Sequence, residues 1–290
     1  MRLVFLGTPS AAVPALEALV EAGHEVALVI TRPDRRRGRG SSLSPSPVKQ
    51  RALDLGLRVA HSVKELDGLG AEWGVVVAYG AMIPASVLAF TPMLNVHFSL
   101  LPRWRGAAPV ERAILAGDER TGVCVMSLEE TLDTGPVHAR ASTDVDEKTA
   151  EQLMGELATK GASLLVEVLG SRDLLENPLA QEGEATYAQK LTSETFHLEP
   201  SMPVAMMART VRLGRAYCFV GARRVRVLRG HLVDTRGPSG TLRYDNGEVV
   251  LHTADGAYAL DEVQVEGSRA MSASAWWTGA RLDPTTLLWS

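Results

Sequence analysis

Residues 2–30, RLVFLGTPSAAVPALEALVEAGHEVALVI, decide the fold. Residues 2–6 are a short, unbroken apolar run, the mark of a strand buried on both faces. Residues 11–21 carry apolar side chains at helical spacing and stop at Gly23, the residue best suited to end a helix. Residues 25–30 are a second strand. Strand, helix and strand in so short a span make a βαβ unit, and the alternation continues outward from it. Ser46-Pro47 supplies an N-cap and a proline at the first position of a helix reaching Leu55. Strands follow at 74–78 and 94–97 with a helical segment at 85–90 between them. Residues 107–116 are amphipathic, 123–128 return to strand, and 150–169 form a long helix stopped by Gly170. The pattern predicts an α/β domain: a Rossmann-like, mostly parallel sheet covered on both faces, with ligands beyond the carboxyl ends of its strands.

The texture changes near residue 200. Short strand-like runs at 216–220, 224–233, 240–243, 248–252 and 258–265 are separated by turn signals such as Asp245-Asn246-Gly247 and Asp255-Gly256. Five short strands in so small a region predict a small OB-like β-barrel. The expected division is an α/β domain over 1–195, a linker over 196–207 and a C-terminal domain over 208–290.

Bulk composition narrows the function. The chain has 290 residues, 46% of them hydrophobic and 22% charged, which fits a globular protein with a full core. The net charge is −4 but unevenly placed: residues 201–290 carry 11 Arg, no Lys and 8 acidic residues, a net +3, and leave −7 for the rest. A basic C-terminal part on an acidic body is compatible with a polyanionic partner. Two cysteines, Cys124 and Cys218, argue against a disulfide framework and for a reducing cytoplasm. The first residues read as a strand rather than a signal peptide, and no apolar run is long enough for a membrane span. No metal or nucleotide is expected, because the sequence contains no P-loop, HExxH or GxGxxG, and a monomer is expected.

The chemistry concentrates in Asn95-Val96-His97-Phe98-Ser99-Leu100-Leu101-Pro102-Arg103-Trp104-Arg105-Gly106. Strand periodicity puts Asn95 and His97 on one face, at the end where the chain breaks into Ser-Leu-Leu-Pro. An amide beside an imidazole suits the holding of a carbonyl oxygen. Asp133, in the turn Thr131-Leu132-Asp133-Thr134-Gly135-Pro136, could reach the imidazole and fix its tautomer and charge. A strand-end histidine and a turn aspartate are, taken singly, more often structural. The conjunction is what carries weight.

The run from Asn95 to Gly106, with Asp133-x-Gly135 following it, resembles the signature of the 10-formyltetrahydrofolate-dependent formyltransferases. Further stretches resemble the branch that acts on aminoacylated tRNA: Phe5-Leu6-Gly7-Thr8-Pro9, Thr31-Arg32-Pro33-Asp34-Arg35, Gly38-Arg39-Gly40, Ser46-Pro47-Val48-Lys49, Val77-Ala78-Tyr79-Gly80 and Arg103-Trp104-Arg105-Gly106-Ala107-Ala108-Pro109-Val110. The resemblance covers about the first 195 residues. It implies a formyltransferase fold, 10-formyltetrahydrofolate as co-substrate and initiator methionyl-tRNA as acceptor. It implies Asn95, His97 and Asp133 as catalytic residues, and Ser99, Leu100, Leu101, Pro102, Tyr79 and Gly80 at the folate. It also implies that the loop carrying Arg35, Arg36, Arg37 and Arg39 meets the tRNA, where phosphate and base-edge contacts favour arginine.

The C-terminal part departs from the pattern. The family's Asn-Pro-x-Pro-like segment is replaced by Val211-Arg212-Leu213-Gly214-Arg215-Ala216-Tyr217. Its Pro-x-Gly-Lys-Lys is replaced by Val265-Glu266-Gly267-Ser268-Arg269, ahead of a matching Ala270-Met271-Ser272. Arg223, Arg224, Arg226 and Arg229 can compensate on one barrel surface, with Arg224 and Arg226 on the same face. The alternatives left open are a diverged formyltransferase acting on another amine, such as an amino sugar nucleotide, a formyl-folate hydrolase, and a binding module with a disused site.

Overall fold

In the computed structural model, which describes residues 1–36, 43–280 and 289–290, the opening βαβ unit forms as its sequence predicts. Strands β1 (Arg2–Gly7) and β2 (Glu25–Ile30) pair in parallel, connected through a 3-10 turn and helix α1 (Val13–Glu21). Leu3 to Leu6 have no exposed surface, which is why β1 reads as an unbroken apolar run rather than an alternating one. Leu16 and Leu19 bury the inner face of α1.

Strands β3 (Val59–Ala60), β4 (Trp73–Val77), β5 (Met93–His97), β6 (Arg120–Ser127) and β7 (Val137–Asp144) complete a seven-stranded sheet in the order β7-β6-β5-β4-β1-β2-β3. The five strands from β3 to β5 run parallel, and β6 and β7 are each antiparallel to the strand before them. The chain leaves β1 towards β2 and β3, then returns to β4 and β5 on the other side. Its reversal therefore falls between β1 and β4, the region where open α/β sheets hold ligands.

The helices behave as their sequences direct. In α2 (Pro47–Asp54) the Ser46 hydroxyl accepts the Lys49 N–H at 2.9 Å and shares a 2.7 Å hydrogen bond with the Thr31 hydroxyl, both side chains being buried. Helix α3 (Pro109–Ala116) and the long α4 (Ala150–Gly170) follow. On α4, a Cβ added at Gly161 would sit 2.8 Å from Val96 Cγ1 and 3.0 Å from Val123 Cγ2, so the helix packs closely on β5 and β6. His138 on β7 is buried between Ser127 Oγ and the Leu174 carbonyl, each 2.9 Å from a ring nitrogen.

The residues divide into two compact units. One comprises Met1–Val110, Arg120–Asp144 and Leu153–Gln189; the other comprises Glu111–Glu119, Val145–Gln152 and Lys190–Ser290. The second contains α5 (Val204–Val211), strands β8 (Tyr217–Val220), β9 (Arg223–Val233), β10 (Leu242–Asp245), β11 (Glu248–His252), β12 (Ala257–Val265) and β13 (Met271–Ser272), and α6 (Ala273–Ala280). They form an antiparallel sheet in the order β8-β9-β12-β11-β10, with β13 on β12, curled into a half-barrel. Trp289 donates to the Gly240 carbonyl and Ser290 exchanges hydrogen bonds with Phe219, so this short segment links the β8 edge to the approach of β10. The stretch 196–207, expected as a linker, is built into this unit: Leu198 and Met207 are fully buried in its apolar core, and α5 starts at Val204. Its hydrophobic positions have a partner there that local sequence does not reveal.

Two outcomes follow from these contacts. Ser46→Ala removes a helix cap and leaves the buried Thr31 hydroxyl without its partner, and should cost about 2 kcal/mol in chemical denaturation. Burial also holds the His138 imidazole below its ordinary value, only partly offset by the Leu174 carbonyl. The unfolded chain therefore binds the proton first as pH falls through about 6.5, and stability declines from there downward. His138→Gln should flatten that part of the stability–pH curve.

Candidate active site

Strand β5 sets the geometry. Met93, Asn95 and His97 share one face. Met93 is buried in the apolar cluster with Val4, Leu6 and Ile30, anchoring the strand, while Asn95 and His97 stand at its carboxyl end with 9% and 6% of their surface exposed. Both line a cleft of about 530 Å³ together with Asp133. Its wall is largely apolar, with Val76, Met82, Ile83, Val96, Leu128 and Leu132 among its residues, and Tyr79, Gly80, Gly106 and the polar Glu129, Glu130 and Thr131 also line it. A large apolar pocket with a few converging polar groups is the usual form of a small-molecule site.

The imidazole of His97 is hydrogen-bonded at one nitrogen and faces a carboxylate with the other. Its Nε2 lies 2.9 Å from the Trp104 carbonyl, and because a carbonyl only accepts, Nε2 carries the hydrogen. Nδ1 faces Asp133 Oδ2 at 3.7 Å, a charge-pair distance rather than a hydrogen bond, with the two side chains 7% and 8% exposed. The same carboxylate oxygen accepts the Gly106 N–H at 2.8 Å.

Unusual backbone holds these groups in place. Asp133 has φ +52° and Trp104 φ +62°, left-handed conformations that non-glycine residues keep only where their surroundings enforce them. Gly106, at φ +119°, approaches the Ala188 carbonyl so closely that a Cβ would lie 2.8 Å from its oxygen. At Gly135 a Cβ would lie 1.9 Å from the Ser127 carbonyl oxygen, so only glycine lets the Asp133 turn close against the end of β6.

Of the residues singled out in the sequence, Tyr79, Gly80, Asn95, His97 and Asp133 meet at one cleft. Burial raises the Tyr79 phenol above its ordinary value, with Arg32 acting in the opposite sense, and the Tyr79 carbonyl accepts the Thr8 hydroxyl at 2.9 Å. Ser99, Leu100, Leu101 and Pro102 do not line this cleft; they follow closely on His97. Beyond His97 the chain turns back on itself: Ser99 Oγ donates to the Arg103 carbonyl at 2.6 Å, Leu100 packs over Gly122, and Leu101 is buried with Cys124, Met126 and Val137. Burial of Leu101 anchors the turn whose Trp104 carbonyl meets His97. The Leu101–Pro102 peptide bond is cis.

Arg35 and Arg36 are exposed on a two-residue strand paired with Leu43–Ser44, and Arg37 and Arg39 lie outside the described residues. In the second unit, exposed Arg224 and Arg226 alternate with buried Val225 and Val227 on β9, and Arg224 stacks 3.8 Å over the Tyr217 ring. Cysteine chemistry has no support: burial pushes the thiol of Cys124 up to about 11 and that of Cys218 up to about 12. Among the described residues no group of side chains could hold a metal ion, and no helix is long and apolar enough to cross a membrane.

Two residues that hold the site were not foreseen. Gln181 donates to the carbonyls of Asp133 and Gly135, both at 2.8 Å, and Thr186 Oγ1 accepts the Trp104 N–H at 2.9 Å. They belong to an irregular segment whose Tyr187–Ala188 pairs in parallel with Arg105–Gly106. No periodicity marks such a segment; only the pairing reveals it.

Comparison with known proteins agrees with this geometry. Residues 1–169 match the family model described as formyl transferase, and residues 191–281 match the formyl transferase C-terminal domain. The chain belongs to the formyl transferase family. Among its relatives, the methionyl-tRNA formyltransferase of Roseobacter denitrificans is 43% identical over 302 residues, covering 99% of this chain and 98% of that one. Among solved structures, HypX from Aquifex aeolicus in complex with tetrahydrofolic acid superposes with a TM-score of 0.68 at 18% identity, covering 96% of this chain and 47% of that one. Methionyl-tRNA formyltransferase from Clostridium thermocellum gives 0.58 at 17% identity, covering 81% and 95%. At these identities the two structures bear on the fold alone.

Gly135→Ala should shift the Asp133 turn and lower stability by about 2 kcal/mol or more, since the clash is with backbone that cannot swing aside. Thermal denaturation checks it.

Proposed function

We propose that the chain transfers the formyl group of 10-formyltetrahydrofolate to the α-amine of initiator methionyl-tRNA, in support of translation initiation. The observation that carries this reading is the relationship at 43% identity along nearly the whole of both chains to a methionyl-tRNA formyltransferase. The cleft supports it independently. Its largely apolar wall suits a flat pterin, and Asn95, His97 and Asp133 are among the polar groups that line it.

Formyl transfer to an amine is acyl transfer, in which negative charge grows on the formyl oxygen as the amine attacks. The Asn95 amide is the donor placed for that oxygen, beside the His97 imidazole. A preorganised donor of this kind contributes about 2.7–4 kcal/mol. Asp133 Oδ2 faces His97 Nδ1 at 3.7 Å, so the pair is placed to orient the amine and receive its proton, an effect of roughly 10²–10⁴-fold. Asn95 and His97 are nearly buried, which excludes the water that would weaken these interactions.

For the acceptor, Arg35 and Arg36 in the first unit and the exposed arginines of β9 supply cations for the tRNA backbone. The separately folded C-terminal unit, Lys190–Ser290 together with its two shorter segments, is assigned to tRNA contact, and the first unit to catalysis. Two free cysteines are consistent with action in the cytoplasm.

The test is transfer of labelled formyl from 10-formyltetrahydrofolate to methionyl initiator tRNA. Asn95→Ala and His97→Ala should each lower kcat by about 10²–10³-fold in a folded protein. Transfer should weaken steeply with added salt, because arginine–phosphate contacts release counterions. A folded parent that formylates an amino sugar nucleotide but not the charged tRNA would overturn the acceptor and leave the donor standing.

A further inference from the structure

We propose that Gln181 is a positioning residue for this reaction: its side-chain amide fixes the Asp133 turn at the separation from His97 at which the pair works. The activity part of the argument rests on the function proposed above; the structural part does not.

Both hydrogens of the Gln181 amide are committed, to the Asp133 carbonyl and to the Gly135 carbonyl, each at 2.8 Å. Its Oε1 accepts from Arg105 twice, at 3.1 Å from Nε and 2.7 Å from Nη2. The orientation is not interchangeable. An arginine only donates and a backbone carbonyl only accepts, so a flipped amide would face donors with donors and acceptors with acceptors. The guanidinium thus orients the amide, and the amide holds the turn. Gln181 is half-buried, where such a network is worth more than in open water.

The consequence for the site comes through the segment Arg105–Gly106. Gly106 N–H holds the Asp133 carboxylate, and Arg105, through Gln181, holds the Asp133 carbonyl. The backbone and the side chain of one residue are therefore tied to the same two neighbouring residues by separate routes. Asp133 needs both, because its φ of +52° is a conformation an aspartate readily leaves. Without the Gln181 route the carboxylate could drift by the ångström or so that costs about 10²-fold in a preorganised site.

Gln181→Met keeps the length of the side chain and removes every hydrogen bond; Arg105→Met leaves Gln181 in place but frees its amide to rotate. In the full-length chain, Gln181→Met is expected to lower kcat by about 10–100-fold, with KM for 10-formyltetrahydrofolate within about twofold of the parent. The Gly106 amide should exchange with deuterium at least about tenfold faster, as its acceptor wanders. Arg105→Met should show both changes at smaller size, and the double variant should be no worse than Gln181→Met, since both act through one network. An undisturbed kcat, a kcat that falls only with the folded fraction, a KM that rises in step with the loss, or an undisturbed Gly106 exchange overturns the proposal. Should Gln181→Met not fold, Arg105→Met carries the same two measurements. If the parent transfers no formyl group to the tRNA, the functional reading falls, and Gly106 exchange alone then decides: faster exchange supports the role of Gln181 and unchanged exchange ends it.

Discussion

His97 and Asp133 face each other with almost no access to water, and that constraint organises what surrounds them. A buried imidazole and a buried carboxylate are costly unless each lone pair and hydrogen has an assigned partner. The Trp104 carbonyl serves one side of the ring and the Gly106 N–H serves the carboxylate. Both come from the same short loop after β5. The left-handed backbone at Trp104 and Asp133 is the conformational cost of that arrangement, offset by the hydrogen bond Trp104 donates to Thr186 and the one Asp133 accepts from Gln181.

The sheet makes this loop possible. Strand β5 ends beside β4 and β6, so Asn95 and His97 emerge at the carboxyl edge, where three loops converge: the one after β4, with Tyr79 and Gly80; the one after β5; and the β6–β7 turn with Asp133. Met93 buries the inner end of the same strand face in the apolar cluster, and α4 packs on the other face through Gly161. The polar end of β5 is thus positioned by the burial of its apolar end.

The two units differ in their chemistry. The first brings buried Asn95, His97 and Asp133 to one cleft. The second alternates buried valines with exposed arginines along β9, giving an apolar interior and a cationic exterior on a single strand. Lysine is absent from residues 201–290, and the planar guanidinium that replaces it can stack, as Arg224 does on Tyr217.

Local periodicity carried much of the fold. The βαβ opening, the N-cap at Ser46, the long helix stopped at Gly170 and the antiparallel strands of the C-terminal unit were all legible, because periods of 3.6 and 2 and the preferences of Ser, Pro and Gly are properties of neighbouring residues. The same period of 2 put Asn95 beside His97. Family resemblance joined Asp133 to them and suggested Tyr79 and Gly80, and the fold brings all five to one cleft. It did not tell that Leu101 would be drawn into the core with Cys124 and Met126. Nor did it reveal Gln181 and Thr186, or the place of Leu198 and Met207 in the second core. Sequence by itself determined the elements and the face of β5 that carries the chemistry. Tertiary structure alone decided which distant residues hold that chemistry still, because a hydrogen bond spanning 48 positions, such as that from Gln181 to Asp133, leaves no periodic trace in the chain.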